Sequence, residues 1–105
     1  FLPTVIDGVE ERARVRSSSY TCDFVACRGA LRLCIESKPC IDHVTSVALE
    51  KCRQLRDKTL SRVLIMAGTG DDVRWLDMGP PRARKAEERW FDDVSELRAH
   101  LGIAA

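Results

Sequence analysis

Residues 20–38 read YTCDFVACRGALRLCIESK, two apolar-rich runs joined at Arg28-Gly29. The first run is dense in aromatic, β-branched and Cys residues. The second alternates Leu31, Leu33 and Ile35 with Arg32, Cys34 and Glu36. Both are strand patterns and Arg28-Gly29 is turn material, so the stretch predicts a β-hairpin. Side chains two apart on a strand share a face, which groups Glu36 with Lys38, and Asp23 with Val25 and Cys27. A two-residue Arg28-Gly29 loop sets Asp23 opposite Cys34, with Glu36 its diagonal neighbour at roughly 7–8 Å. A four-residue loop sets Asp23 and Glu36 directly opposite. A three- or five-residue loop separates them. The turn therefore tests whether the two acids meet.

Downstream, Val44, Val47, Ala48, Cys52 and Leu55 recur at helical spacing, with Glu50, Lys51, Arg53 and Asp57 on the other side, predicting a helix over 42–58. Residues 63–67, VLIMA, form a continuous apolar run of strand length, as a strand buried on both faces requires. Gly68-Thr69-Gly70-Asp71-Asp72 turns the chain, and 73–78 makes a further strand. Gly68-Thr69-Gly70 lacks the glycine pattern and the Lys of a phosphate loop. Gly79-Pro80-Pro81 opens a Pro/Arg-rich connection over 79–91. A last helix covers 93–101, with Asp92 as N-cap and Gly102 as stop. Upstream, the charged segment 7–18 fits the tail of a helix and a charged edge strand equally. The order predicts one α/β domain over 1–105, with a mixed central sheet of about four strands flanked by helices.

The chain has 105 residues, 45% hydrophobic and 31% charged, which excludes a disordered chain. No apolar run approaches the roughly 18 residues of a membrane span, so no membrane partner is expected. Seventeen basic residues against 16 acidic give +1, which excludes a basic field along the whole length but leaves a local patch open. Thirteen of the basic residues are Arg, suited to forked contacts with carboxylates or phosphates. The five Cys (Cys22, Cys27, Cys34, Cys40, Cys52) are odd in number and contain no Cys-x-x-Cys pair. They read as reduced packing thiols rather than a disulfide framework or a zinc site. The expected setting is intracellular and reducing: cytoplasm, nucleus or organelle matrix.

Two carboxylates on one hairpin face can share a hard cation, Mg²⁺ or Mn²⁺, which takes oxygen ligands and keeps several waters. A Lys beside the ion can orient the attacking water and offset charge on a phosphate, which suits phosphodiester hydrolysis. Against this stands a solvated polar strand face. Asp lies at the poor end of the β-propensity scale, and a mid-strand Asp23 is the local conflict a functional site produces.

Tyr20-Thr21-Cys22-Asp23-Phe24, Gly29 and Leu33-Cys34-Ile35-Glu36-Ser37-Lys38-Pro39 together resemble the core motif of the PD-(D/E)XK, or restriction-endonuclease-like, nucleases. The 13-residue gap from Asp23 to Glu36 and the Glu-x-Lys are similar to archaeal Holliday-junction resolvases. The Tyr-Thr-x-Asp-Phe and Glu-x-Lys-Pro wording is similar to the endonuclease subunit of heteromeric transposases. The resemblance covers about 20–78 and implies a restriction-endonuclease-like fold and a Mg²⁺-dependent endodeoxyribonuclease. Asp23 and Glu36 would be the metal ligands and Lys38 the catalytic lysine. Cys22 stands where the family usually has Pro. The family's further acid sits on an upstream helix, for which this chain offers Glu10 and Glu11, or that helix precedes Phe1.

Arg82, Arg84, Lys85 and Arg89 form the dense basic cluster of the C-terminal half and are the candidate nucleic-acid contacts. Glu87 and Glu88 lie within it, so a solvated linker is an equal alternative. Arg12, Arg14 and Arg16 share a face if their segment is extended. Gln54, His43, Trp75 and Trp90 read as surface, cap or packing residues. The expected partners are DNA and a homodimer or larger assembly. The alternative function is a catalytically degenerate nuclease-like domain serving as a structural or nucleic-acid-binding subunit.

Overall fold

Val63-Leu64-Ile65-Met66-Ala67 offers no polar side chain to water, and all five residues are buried in the strand β4, Arg62–Thr69. The computed structural model describes residues 11–17, 20–28 and 31–103, with side chains for 23–26 and 31–103. The described strands are β1 (Glu11–Ser17), β2 (Tyr20–Arg28), β3 (Leu31–Lys38), β4, β5 (Asp72–Asp77) and β6 (Arg89–Phe91). They form one sheet in the order β1-β2-β3-β4-β5-β6. β3 and β4 are parallel, and every other neighbouring pair is antiparallel. The helix α1 (Ser46–Thr59) makes the crossover that a parallel pair needs. The helix α2 (Val94–His100) closes the chain.

The α/β class and the mixed sheet follow the sequence pattern, but the sheet has six strands rather than about four. Both additions are edges. The charged segment 11–17 is an edge strand, not a helix tail, and its register shifts between Ala13 and Val15. The connection 79–91 holds a short 3₁₀ turn, Lys85–Glu87, and then β6, which pairs Trp75–Phe91, Leu76–Trp90 and Asp77–Arg89. Edge strands have one partner and tolerate charge, so they lack the apolar alternation that marks an inner strand.

Alternation sorts the sheet's side chains into two cores. Ala26, Leu33, Ile35, Leu64, Met66, Trp75 and Phe91 pack with Leu97 of α2 and with Ile103. Val25, Cys34, Val63, Ile65, Leu76 and Met78 pack with Cys52 and Leu55 of α1. Each fully buried Leu or Ile contributes about 1.5–3 kcal/mol. α1 begins at Ser46, where the Thr45 hydroxyl accepts the Ala48 N–H at 3.2 Å. The preceding residues Ile41–His43 make a 3₁₀ turn instead of the helix's first turn. Val47 is 62% exposed, because Ala48, Cys52 and Leu55 set the sheet-facing stripe and Val47 lies about 100° around the helix from Ala48. For α2 the cap is Asp93, one residue later than expected, its Oδ1 accepting the Ser95 N–H at 2.8 Å. Gly68, expected in the turn, is a residue of β4 paired with Val73; its φ is +116°, and an added Cβ would lie 2.0 Å from the Asp72 carbonyl oxygen. Only glycine fits at that position. Among the described residues, no helix is long and apolar enough to cross a membrane.

Candidate functional site

The hairpin register runs Arg28–Leu31, Cys27–Arg32, Ala26–Leu33, Val25–Cys34 and Phe24–Ile35. Continued by one residue it would set Asp23 opposite Glu36, but the pairing itself ends at Phe24–Ile35. Arg28 pairs with Leu31 and is a strand residue, not part of an Arg28-Gly29 turn; the pairing is the one a four-residue loop counted from Cys27 would set, and Gly29 and Ala30 lie outside the described residues. Beyond Phe24–Ile35 a side chain takes over from the backbone: the Ser37 N–H donates to Asp23 Oδ2 at 2.8 Å. Asp23 thus stands two residues along from Val25, and Glu36 and Lys38 follow Cys34, all on the face covered by α1.

On that face lies a pocket of about 220 Å³, lined by Glu36, Lys38, Ala48, Lys51, Cys52 and Leu55. Its electrostatics register on Cys52. Burial pushes the Cys52 thiol up to about 12, the Glu36 and Asp23 carboxylates push the same way, and Lys38 and Arg53 oppose them. Asp23, Glu36 and Lys38 therefore act on one point from two strands. Asp23, Glu36 and Lys38 are each half-buried. That removes part of their hydration and strengthens their mutual interactions.

The donors suit a hard cation. Asp23 and Glu36 supply oxygen only, and the pocket's one sulfur, Cys52, is held as a neutral thiol and is a poor ligand. Among the described residues no three His, Cys, Asp or Glu converge on a metal position. Two carboxylates are the complement Mg²⁺ commonly takes from a protein, the remaining positions going to water and phosphate oxygens.

The other candidates are dispersed. Glu11 pairs with Cys27, four residues along β2 from Asp23 and about 13 Å away by strand rise. Glu10 lies outside the described residues. Arg82, Arg84 and Lys85 are exposed in the turn beyond Met78, which is fastened to the C-terminal half of α1, whereas Lys38 leads into that helix's other end. There the Arg82 N–H donates to Asp57 Oδ1 at 2.6 Å, and Arg56, 2% exposed, donates to the Met78 and Ala83 carbonyls at 2.5 and 3.1 Å. Arg53 grips Glu88 with two bonds of 2.7 and 2.8 Å. Arg89 sits on the opposite sheet face, its guanidinium carbon 4.6 Å from the Phe91 ring centroid. These four cations are not gathered around Asp23, Glu36 and Lys38. Gln54 points to solvent and donates to Glu50 at 3.4 Å, and His43 is exposed.

Two features escaped the sequence pattern. Lys51 belongs to the polar side of α1 by periodicity, yet it borders the sheet-facing stripe between Ala48 and Cys52 and lines the pocket. Asp77, wholly buried in β5, receives Arg62 through two bonds of 2.9 and 2.6 Å, His100 Nε2 at 2.8 Å and the Gly79 N–H at 3.0 Å. Burial pushes the Asp77 carboxyl up, but Arg62, the Gly79 N–H and His100 outweigh that and hold it below the usual carboxylate range. This cluster sits on the face of α2, away from the pocket, and ties that helix to the sheet.

No protein-family model matches the chain, and no curated protein sequence matches it.

Proposed function

We propose that this chain is a metal-dependent endonuclease domain of the PD-(D/E)XK type, hydrolysing DNA phosphodiester bonds. The observation that carries the proposal is the end of the hairpin ladder: past the Phe24–Ile35 pair the Ser37 N–H donates to Asp23 Oδ2 at 2.8 Å, which ties Asp23 to the Glu36-x-Lys38 segment, and Glu36 and Lys38 line one pocket. Asp23 and Glu36 would hold Mg²⁺ or Mn²⁺. Such an ion, when bound, supplies charge neutralisation at the phosphate and lowers the pKa of a water. Lys38 orients the attacking water and places positive charge where the phosphate gains negative charge. The α1 wall, through Ala48, Cys52 and Leu55, narrows access of bulk water to the pocket.

The net charge of +1 gives little long-range attraction for a polyanion, so contacts with DNA are local or are completed by a second copy or a larger assembly. The buried thiols of Cys34 and Cys52 suit a reducing, intracellular setting. The same charge balance, with the basic residues 82–89 away from the pocket, favours the second function: a nuclease-like subunit that keeps the fold and has lost the chemistry.

The test is cleavage of linear and branched DNA with Mg²⁺ or Mn²⁺ by the wild type, Asp23→Ala, Asp23→Asn and Lys38→Ala. The expected loss is about 10²–10⁴-fold in each variant, the usual contribution of a positioned proton-transfer or charge-stabilising group. Equal activity in all four proteins, or none in any, overturns the proposal. DNA binding by a folded wild type with neither cleavage nor Mg²⁺ uptake by calorimetry establishes the degenerate subunit instead.

A further inference from the structure

Lys38 and Lys51 both line the Glu36 pocket, one from β3 and the other from α1. Several cations among the described residues are already committed. Arg53 holds Glu88, Arg56 holds Asp57, Arg62 holds Asp77 and Arg74 holds Asp92. Among the described residues, neither the Lys38 nor the Lys51 ammonium forms an ion pair. Lys51 is exposed on a helix whose next residue, Cys52, is 4% exposed, so its stem starts at the pocket wall and its charge reaches solvent. Two lysines without an ion pair among the described residues thus border one small polar cavity from β3 and α1, beside Glu36, and together can attract an anion to its mouth. A Lys is a compact charge with three rotatable donors that suits phosphate oxygens.

We propose that Lys51 and Lys38 form a phosphate clamp across the pocket, with Lys51 holding an oxygen of the DNA backbone and positioning the strand over Asp23 and Glu36. The identity of the polyanion rests on the endonuclease reading, whereas the clamp rests on the pocket. Lys51 is then a positioning residue, separate in effect from Lys38, which is placed against the reacting phosphate. It also supplies the local cation that the near-neutral net charge leaves wanting.

The clamp is tested without cleavage, by titrating ¹⁵N-labelled protein with sodium pyrophosphate and following the amides of Lys38, Ala48, Lys51 and Cys52. The wild type is expected to give saturable shifts at these four. Lys51→Ala is expected to weaken binding about fivefold or more, and Lys51→Arg, which keeps the charge, to restore most of it. A Lys51→Ala protein that titrates like the wild type, or a wild type without saturable shifts there, overturns the clamp. Lys51 is exposed and unpaired among the described residues, so the substitution leaves the fold intact, which circular dichroism verifies.

A second arm uses duplex DNA with Ca²⁺ in place of Mg²⁺. Here Lys51→Ala is expected to lower the slope of log K against log salt by about one phosphate contact. With Mg²⁺ it raises KM at nearly unchanged kcat, whereas Lys38→Ala lowers kcat. An unchanged slope and KM in Lys51→Ala, beside an active wild type, defeats the clamp alone. Pyrophosphate binding through Lys51 in a protein that does not cleave DNA defeats the endonuclease reading and leaves the clamp standing.

Discussion

Replacing Asp77 by Ala tests the Arg62–Asp77–His100 cluster that joins β4, β5 and α2. The carboxylate is wholly buried and receives four hydrogen bonds: two from Arg62, one from His100 Nε2 and one from the Gly79 N–H. Removing one partner of a buried ion pair costs about 3–5 kcal/mol, since it strands the other charge. The side chains of Arg62 and His100 are 25% and 31% exposed, so water recovers part of that loss and the lower end applies. A loss of about 3 kcal/mol is a large share of the 5–15 kcal/mol typical of a domain. At about 4–8 °C per kcal/mol it lowers Tm by about 12–24 °C.

Urea unfolding at pH 7 measures the loss, and hydrogen exchange at the α2 amides shows whether that helix detaches first. Asp77→Asn keeps the shape and removes the charge, and is expected to cost roughly half as much. The folded-state pKa of Asp77 is depressed, so its stabilisation is fully present above the unfolded value of about 3.9 and is lost as pH falls through the folded value. The gap between wild type and Asp77→Asn must therefore shrink as urea unfolding is repeated from pH 5 toward pH 2.5. A cost below about 1 kcal/mol for Asp77→Ala, or a gap that does not narrow in acid, refutes the reasoning.

Gly68→Ala is expected to destabilise the fold by more than about 2 kcal/mol in urea, because its Cβ would meet the Asp72 carbonyl oxygen at 2.0 Å and φ is +116°. A neutral outcome would show that the β4–β5 turn relaxes at little cost. Cys52, with its thiol pushed up to about 12 and 4% exposed, is expected to resist iodoacetamide at pH 8 in the native state, while the half-buried Cys40 is alkylated. Peptide mass mapping reads both sites, and equal labelling would contradict the burial of the pocket wall.

Where a segment's local chemistry and its packing agree, the sequence pattern reads correctly. The hairpin is legible from alternation, α1 from helical spacing, β4 from a continuous apolar run and the C-terminal helix from its capping residues, and each element is present, although Val47 of the α1 stripe is exposed. The edge strands carry no such signal. Glu11–Ser17 is a run of charge in which an edge strand and a helix tail look alike, and Arg89–Phe91 is too short for periodicity to register. At the candidate site, Asp23, Glu36 and Lys38 were legible because a period of two needs only the correct turn length. Lys51 was not, since its place at the pocket depends on how α1 rotates against the sheet. Asp77 was hidden too: an acid inside an apolar strand becomes interpretable only when Arg62 and His100, 15 and 23 residues away, arrive beside it.

The bond from the Ser37 N–H to Asp23 Oδ2 gives one side chain two employers. One carboxylate oxygen substitutes for a strand carbonyl and keeps β3 satisfied where β2 has stopped pairing with it. A carboxylate at that position is thus part of the sheet's wiring before it takes part in any chemistry. Glu is acidic enough for the chemistry but one methylene too long for the splice. Ala loses both roles, and Asn keeps an acceptor for Ser37 while discarding the charge. The identity of residue 23 is therefore constrained by backbone geometry whether or not any chemistry takes place beside it.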